Sequence, residues 1–375
     1  LVVLCPFHGE KTPSFHVTKE KGLYYCFGCH EGGNAITFVS KIENVDKIDA
    51  IEMLATSVGM EMPHDNKTDN RQSELRKTIY QINKEAASFF HNTLLSESGK
   101  KARAYLTGRQ LTKNTVTKFG LGYSPDSWDA LLNHLIKKGY KTDDIVASGL
   151  ATVNTKGRIF DRFRNRVMFP IIDHKGNVIA FGGRTMGDDP AKYLNTSDTI
   201  AFSKGNNLYA LNFAKSNAQN GLILCEGYMD VISLHQAGIG SAVASLGTAL
   251  TQNQAKLIKR FTATVYLCYD NDKAGNNATK KNLEVLSAEN IRVKVIKIPN
   301  GKDPDEFLKN NSAAEFRKLL EDGVSKIDYK INEIKAMYNL EFPEQKIGFL
   351  NSIIPVLAGI SNSMEAEIYI KKISE

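Results

Sequence analysis

The chain has 375 residues, and 48 Lys and Arg against 41 Asp and Glu give a formal net charge of +7. This length predicts two or three domains of about 150 residues each, and with only five cysteines a small disulfide-stapled scaffold is excluded. No run of about 18 consecutive apolar residues occurs, and the start at Leu1 lacks a signal-peptide pattern, so we expect a cytoplasmic protein without membrane contact.

Two pairs of metal-binding residues stand at the start of the chain. Cys5 with His8, and Cys26 with Cys29, each enclose two residues. Two such pairs of thiolate and imidazole ligands are typical of a closed zinc site, and the alternation in residues 14–17 and 22–25 predicts strands that carry the pairs together. We therefore predict a zinc ribbon over residues 1–62, with one structural zinc ion on these four residues instead of three unliganded thiols.

The aromatic residues of the same module allow two interpretations. They can form its small core, or they can stack on the bases of a single-stranded nucleic acid, and the sequence favours neither. The residues are Phe7, Phe15, Tyr24, Tyr25 and Phe27.

The next three segments differ in pattern. Residues 63–74 have no apolar side chain except Pro63 and predict a solvated linker. Residues 75–150 show apolar residues at helical spacing. Two apolar runs, 167–172 and 178–181, flank a turn and predict a pair of antiparallel strands.

Positive charge is concentrated in residues 151–220, which hold ten Lys and Arg against five Asp. If the backbone is extended, two-residue steps place Arg158, Arg162, Arg164 and Arg166 on one face, in a row that suits a phosphate backbone. A solvated charged face is the ordinary explanation for such a run. The acidic residues that follow favour binding of a nucleotide or nucleic acid, because these ligands are negatively charged.

From Gly221 the chain alternates between apolar strands and helices, which predicts a parallel sheet. The predicted strands are 222–225, 242–246, 264–269 and 292–298, and the predicted helices are 229–237, 252–261 and 274–290. Residues 313–375 are predicted to be helical throughout. The fold class is therefore multidomain α/β, with a parallel α/β part between a basic α+β part and a helical tail.

Acidic residues follow three of these strands: Glu226, then Asp270 and Asp272, then Asp303 and Asp305. The carboxyl ends of parallel strands meet at one edge of a sheet, so we expect the five carboxylates to converge. Their mutual repulsion favours a bound cation, and oxygen ligands select Mg²⁺, which serves in phosphoryl transfer. The alternative is that each acid only caps a helix.

Taken together, these motifs resemble the bacterial replicative DNA primases, over nearly the whole chain. The motifs that carry the resemblance are Cys5-Pro-Phe-His8-Gly-Glu-Lys-Thr-Pro-Ser-Phe, Cys26-Phe-Gly-Cys29, Arg162-Phe-Arg164-Asn-Arg166-Val-Met-Phe-Pro, Phe181-Gly-Gly-Arg184, Lys192-Tyr-Leu-Asn195, Glu226-Gly-Tyr-Met-Asp230 and Asp270-Asn-Asp272. The resemblance implies a zinc-binding domain (1–62), a linker (63–74), and an RNA polymerase domain. That domain comprises a basic subdomain (75–220), a toprim catalytic subdomain (221–310) and a helical subdomain (311–375).

The resemblance also implies an activity, the synthesis of short RNA primers on single-stranded DNA from ribonucleoside triphosphates. Glu226, Asp270 and Asp272 would be catalytic and, with Asp303 and Asp305, would bind Mg²⁺ or Mn²⁺. Template and triphosphate would be held by Arg158, Arg162, Arg164, Arg166, Arg184, Lys192, Asn195 and Lys204. The chain begins without methionine and looks like a fragment, so we expect the domain that binds the replicative helicase to lie outside it.

Two other functions are compatible with the sequence. A topoisomerase or nuclease of the toprim class would use the same acidic residues, although a topoisomerase needs a catalytic tyrosine on a large separate domain. A zinc-ribbon protein that only binds single-stranded DNA would leave the acidic residues unexplained.

Overall fold

The computed structural model describes residues 1–8, 10–42, 47–60, 67–247, 249–299, 301, 303–360 and 362–374. The chain divides into two compact units, Leu1–Glu74 (unit 1) and Leu75–Glu375 (unit 2). The finer domain bounds given above stay predictions.

Unit 1 contains a small antiparallel sheet followed by helices. The elements are β1 (Val2–Val3), β2 (Phe15–Thr18), β3 (Leu23–Cys26), β4 (Gly32–Asn34), α1 (Ala35–Ile42) and α2 (Lys47–Ser57). The sheet has the order β1-β2-β3-β4. The two strands predicted between the ligand pairs are confirmed as β2 and β3, which pair Phe15 with Cys26.

A long helix, α3 (Lys67–Leu95), follows. Residues 67–74 of the predicted linker are therefore helical, and residues 63–66 lie outside the described residues. The apolar residues that recur at helical spacing form one face of this helix, and three of them, Ile79, Ile82 and Ala86, are fully buried.

The basic part of unit 2 has helices around a four-stranded antiparallel sheet. The elements are α4 (Lys100–Gly108), α5 (Lys113–Lys118), β5 (Gly122–Ser124), α6 (Ala130–Lys137), α7 (Thr142–Ala147), β6 (Ala151–Val153), β7 (Ile159–Asp161), β8 (Arg166–Ile172), β9 (Val178–Thr185), β10 (Tyr193–Asn195) and α8 (Leu211–Ala214). The strands of this sheet have the order β10-β9-β8-β5. The predicted antiparallel pair is confirmed as β8 and β9.

The rest of unit 2 contains a second sheet, of five strands, and helices. The elements are β11 (Leu222–Cys225), α9 (Tyr228–Gln236), β12 (Ala242–Ala244), α10 (Gln252–Lys259), β13 (Thr264–Leu267), α11 (Lys273–Ala288), β14 (Arg292–Val295), α12 (Pro304–Asn310), α13 (Ala313–Glu321), β15 (Val324–Ser325), α14 (Lys326–Lys335), α15 (Pro343–Ala358) and α16 (Ser363–Ser374). The second sheet has the order β12-β11-β13-β14-β15, and its first four strands are parallel. This confirms the predicted parallel sheet, which forms because its strands are apolar on both faces and helices cover them.

The tail differs from the prediction at one point. Residues 313–375 are not helical throughout, because β15 pairs antiparallel with β14, with Val324 opposite Val295. A branched apolar residue at the open edge of the sheet gains more from pairing than from continuing a helix. Within the described ranges no helix combines the length and the apolar character that crossing a bilayer requires.

Candidate functional site

The four predicted zinc ligands meet in unit 1. The ligand atoms of Cys5, His8, Cys26 and Cys29 all lie within 4.8 Å of one another, and no other described group of three or more His, Cys, Asp or Glu does so. The Cys5 Sγ to Cys29 Sγ distance is 3.8 Å, and the Cys26 Sγ to His8 Nδ1 distance is also 3.8 Å. Zinc–sulfur bonds of about 2.3 Å place tetrahedral ligands roughly 3.8 Å apart, so this donor set fits Zn²⁺.

The aromatic residues of unit 1 divide between the two interpretations. Phe7, Phe15 and Tyr24 pack with Phe38 into the small core beside the ligands. By contrast, Phe27 is 62% exposed and Tyr25 is 40% exposed. The module thus has an aromatic core and also an aromatic surface, which a base can reach.

Glu226 and Asp270 lie side by side at the carboxyl edge of the parallel sheet. Leu224 of β11 is in register with Leu267 of β13, so the residues that follow the two strands emerge at the same level. The Asp270 N–H donates to Glu226 Oε1 at 3.2 Å. A Cβ on Gly275 would lie 2.1 Å from the Asp270 carbonyl oxygen and 2.8 Å from Glu226 Oε1, so only glycine fits beside this pair.

Asp272 and Asp303 both cap helices at this edge. Asp272 Oδ1 accepts the Gly275 N–H at 2.8 Å at the start of α11. Asp303 Oδ1 accepts the Glu306 N–H at 2.8 Å at the start of α12. The capping interpretation is therefore correct for these two acids. Each cap engages only one carboxylate oxygen, so the other oxygen can bind a metal ion while the cap stays in place.

Asp305 does not fit its predicted role as a magnesium ligand. The side chain is 3% exposed, and its Oδ2 accepts from Arg109 Nη1 at 2.6 Å and from Lys309 Nζ at 2.8 Å. Its Oδ1 accepts from Ser233 Oγ at 2.6 Å. Because two cations neutralise the carboxylate and protein donors engage both oxygens, Asp305 has a structural role. Asp303 and Asp305 do not point to the same side, because the helical backbone of α12 turns the Asp305 side chain away from Asp303 and into the protein.

Asp230, by contrast, belongs with the acids although it lies inside α9 and does not directly follow a strand. It does cap α9, where its Oδ2 accepts the Gly227 N–H at 3.1 Å. Burial, together with the charges of Asp303 and Asp270, raises the pKa of Asp230 to about 8. Carboxylates crowded in this way gain stability from a divalent cation. Its place in the first turn of the helix after Glu226 is the signal that sequence reasoning could have used.

The predicted single row of arginines does not form. Strand β7 ends at Asp161, Asn165 has a φ of +49°, and β8 begins at Arg166. Arg166 is 2% exposed and donates to the carbonyl oxygens of Gly183 and Ala191, both at 3.0 Å, and to Asp189 Oδ2 at 2.6 Å. Arg166 therefore holds a loop, and because its guanidinium is buried the structure gives no support to its prediction as a DNA-binding residue.

Two neighbouring arginines are less buried, since Arg158 is exposed and Arg164 is half-buried. The Arg164 guanidinium lies 4.0 Å from the centre of the Trp128 ring, and Arg158 lies 5.8 Å from it. Trp128 is 53% exposed, so this pair of cations borders an open aromatic face.

The other predicted basic residues differ in how far they are exposed. Arg184 is half-buried, with its guanidinium 4.2 Å from the centre of the Tyr105 ring. Lys192 is exposed, and Lys204 is half-buried. The pKa of Arg162 is lowered by burial, and its Nη2 donates to the Asn195 carbonyl oxygen at 3.1 Å.

Asn195 connects this basic region to the acids. Tyr228, at the start of the helix after Glu226, donates its hydroxyl to Asn195 Oδ1 at 2.7 Å. Asn195 Nδ2 donates to the Leu246 carbonyl oxygen at 2.9 Å. A Cβ on Gly182 would lie 2.6 Å from the Tyr228 hydroxyl, so the ring needs glycine in β9. Asn195 thus bonds both to Arg162 and to the first residue of the helix that follows Glu226.

Four family models match the chain, in the order of its parts. They are described as a CHC2 zinc finger (residues 1–70), a DNA primase catalytic core N-terminal domain (89–215), a Toprim-like domain (223–308) and a DnaB-helicase binding domain of primase (327–375). The last match corrects the expectation that the helicase-binding domain lies outside this chain.

Known primases match over most of the chain. The DNA primase of Clostridium acetobutylicum is 46% identical over 375 residues, which cover 99% of this chain and 62% of that protein. The chain thus spans less than two thirds of that relative's length. A crystal structure of the zinc-binding and RNA polymerase domains of Aquifex aeolicus primase matches with a TM-score of 0.67 and 34% identity, over 99% of this chain and 89% of that chain.

A primase catalytic domain bound to single-stranded DNA matches with a TM-score of 0.69 and 32% identity, over 80% of this chain and 99% of that chain. The zinc ligands, the acids at the sheet edge and these likenesses agree along the whole sequence. The chain belongs to the bacterial DNA primase family.

Proposed function

We propose that this chain polymerises ribonucleoside triphosphates into a short RNA primer on a single-stranded DNA template. One observation carries the proposal: Asn195 accepts hydrogen bonds from Tyr228, in the helix that follows Glu226, and from Arg162, so it connects the segment that carries the acids to the segment that carries the basic residues. Nucleotidyl transfer needs both groups, because phosphates must be bound while charge develops on the attacking and leaving oxygens.

The acidic site of this proposal consists of Glu226, Asp270, Asp272 and Asp303. These residues would hold Mg²⁺ or Mn²⁺, which as a Lewis acid would stabilise the reacting phosphate. Glu226 either binds metal or accepts the proton of the primer 3′-hydroxyl. Burial and, after it, the charges of Asp303 and Asp270 raise the pKa of Asp230, and a bound cation would offset that repulsion between carboxylates.

The basic residues would hold the template and the incoming triphosphate. They are Arg158, Arg162, Arg164, Arg184, Lys192 and Lys204, with Asn195 positioning them. The likeness to a primase domain bound to single-stranded DNA supports this assignment. A replicative helicase would bind through residues 327–375, and the protein would act in the cytoplasm at replication forks.

The test is a primer-synthesis assay on a single-stranded template with labelled ribonucleoside triphosphates and Mg²⁺. Asp270→Asn removes the charge beside Glu226, and we expect it to lower synthesis by at least about 100-fold while the circular dichroism spectrum stays unchanged. Asp322→Asn is the matched control, because Asp322 is an exposed residue at the end of α13.

The other two functions give different results in the same experiment. DNA cleavage or relaxation without triphosphates would identify a nuclease or topoisomerase. Template binding by the unaltered chain without any synthesis would identify a binding protein. Full synthesis by Asp270→Asn would contradict the assignment of the acidic site.

A further inference from the structure

The carboxylate of Glu10 contacts three parts of the zinc-binding loop. Its Oε1 accepts the Cys5 N–H at 2.7 Å and the Ser14 N–H at 3.0 Å. Its Oε2 accepts the Ser14 hydroxyl and lies 3.3 Å from His8 Nε2. The side chain is only 11% exposed, although it carries a charge and lies in a small module. Burying a charged group costs free energy unless hydrogen bonds or an opposite charge compensate it, so these contacts hold Glu10 in place.

The His8 ring presents its two nitrogens to different neighbours. Nδ1 lies 3.8 Å from Cys26 Sγ, on the side of the other ligands, whereas Nε2 faces Glu10. A neutral imidazole has one nitrogen that can bind a metal and one N–H that needs an acceptor. The position of Glu10 therefore decides which nitrogen is available to zinc.

Gly28 holds the ring from another side. A Cβ at this residue would lie 2.7 Å from His8 Nε2 and 2.9 Å from Ser14 Oγ. The glycine lets the second ligand pair approach the imidazole, so the ring has little freedom to turn over and exchange its nitrogens.

We propose that Glu10 is a positioning residue of the zinc site, whose carboxylate accepts the Nε2–H of His8 and so directs Nδ1 to the metal. The same carboxylate accepts the Cys5 and Ser14 N–H groups and so fixes the loop from Cys5 to Ser14, which carries the first ligand pair. An outer carboxylate of this kind orients an imidazole ligand and raises its basicity. This inference does not depend on the proposed polymerase activity, because zinc binding is measured directly.

The experiment is a competition for Zn²⁺ between the full chain and a chromophoric chelator. Glu10→Gln keeps the size of the side chain and removes its charge, and we expect it to weaken zinc binding by about 10- to 100-fold. Glu20→Gln makes the same change at an exposed residue of the same module and should leave the affinity within about twofold. The absorption spectrum of the Co²⁺-loaded chain reports whether the ligand set stays intact.

A variant of His8 separates two possible effects of Glu10, the orientation of the imidazole ring and the support of the loop through its amides. His8→Cys supplies a thiolate, which binds zinc in a four-cysteine site and has no second nitrogen to orient. In that background Glu10→Gln should change the zinc affinity by no more than about threefold. Equal losses in both backgrounds would overturn the proposal, because Glu10 would then act only through the Cys5 and Ser14 amides. Unchanged affinity, or a Glu10→Gln chain that stays unfolded at saturating zinc, would also overturn it.

Discussion

Arg109 at the end of α4 donates a hydrogen bond to Asp305 in α12 at 2.6 Å, although 196 residues separate them in the sequence. Two further bonds lie nearby, from the Thr112 N–H to Gln236 Oε1 and from Gln236 Nε2 to the Gln110 carbonyl oxygen, both at 2.9 Å. The segment after α4 is thereby fixed to α9, which carries Asp230, and to α12, which Asp303 caps. The helical part of the basic region thus helps to position the acidic site.

Removing this ion pair should destabilise unit 2. Arg109→Met leaves Asp305 with two donors in place of three, and we expect the free energy of unfolding in urea to fall by about 1.5 to 3 kcal/mol. Lys101→Met, at an exposed residue of the same helix, should stay within about 0.5 kcal/mol. Asp305→Asn should recover part of the loss when combined with Arg109→Met, and strict additivity of the two changes would contradict the pairing.

Arg166 and Arg164 should separate stability from DNA binding. Arg166→Met removes a buried guanidinium together with its hydrogen bonds to two carbonyl oxygens and to Asp189 Oδ2, so we expect a loss of about 3 kcal/mol or more. Arg164→Ala should change stability by less than about 1 kcal/mol but weaken binding to single-stranded DNA and lower the salt slope by about 1. Fluorescence anisotropy against salt concentration and urea unfolding give the two readouts. Equal stability losses would show that Arg164 is also structural.

Local spacing explains why much of this protein is predictable from its sequence. Cys5 and His8 are close because the chain is short between them, and the strand patterns around Phe15 and Tyr24 bring the second pair to the first. Glu226 and Asp270 follow apolar strands, and parallel strands end at a common edge. In each case the residue and its neighbours in sequence contain the needed information.

Roles that depend on distant partners were not predictable. Asp305 and Arg166 carry the residue types expected of a ligand and a DNA contact, but both are buried against partners from other segments. Whether a charged residue is open or paired depends on tertiary packing, which one sequence does not reveal. The same is true of Arg109 and of Tyr228, whose partners lie 196 and 33 residues away.

Asp161 gives a prediction about pH. Its carboxylate is 2% exposed and accepts the N–H groups of Leu131 and Leu132 at 2.8 and 2.9 Å, at the start of α6. Burial raises the pKa of Asp161 to about 6 despite these bonds. An unfolded aspartate has a pKa of about 3.9, so between about pH 4 and pH 6 the native chain binds more protons at this residue than the unfolded chain. Its contribution to stability is therefore lost as the pH rises through that range.

Asp161→Asn removes this dependence while keeping an acceptor for α6. Between pH 4.5 and pH 7, the free energy of unfolding of the unaltered chain should fall by about 1 to 3 kcal/mol relative to that of the variant. Urea unfolding at three pH values measures the difference. Parallel pH profiles for the two chains would mean that Asp161 titrates alike in the folded and unfolded states.

Gly275 tests the close packing beside Glu226 and Asp270. A methyl group there would overlap the Asp270 carbonyl oxygen, so Gly275→Ala must shift the acidic site. We expect the variant to lose about 1 to 3 kcal/mol of stability and most of its primer synthesis. Gly108→Ala, where a Cβ meets nothing within 4 Å, should be neutral or stabilising by up to about 1 kcal/mol. Undiminished synthesis by Gly275→Ala would show that this edge of the sheet is not the reacting centre.

Zinc removal should unfold unit 1 and leave unit 2 intact. The core of unit 1 rests on the buried side chains of Cys5, Phe15, Tyr24 and Cys26, two of which are zinc ligands. A structural zinc ion contributes about 10 to 16 kcal/mol of coupled folding free energy, which so small a core does not replace. Limited proteolysis after chelation should therefore cut within residues 1–74 and leave a resistant fragment from residue 75 onward, with protection restored by added Zn²⁺. Equal cutting of both units would mean that their stabilities are coupled, since the unit 2 cores contain no zinc ligand.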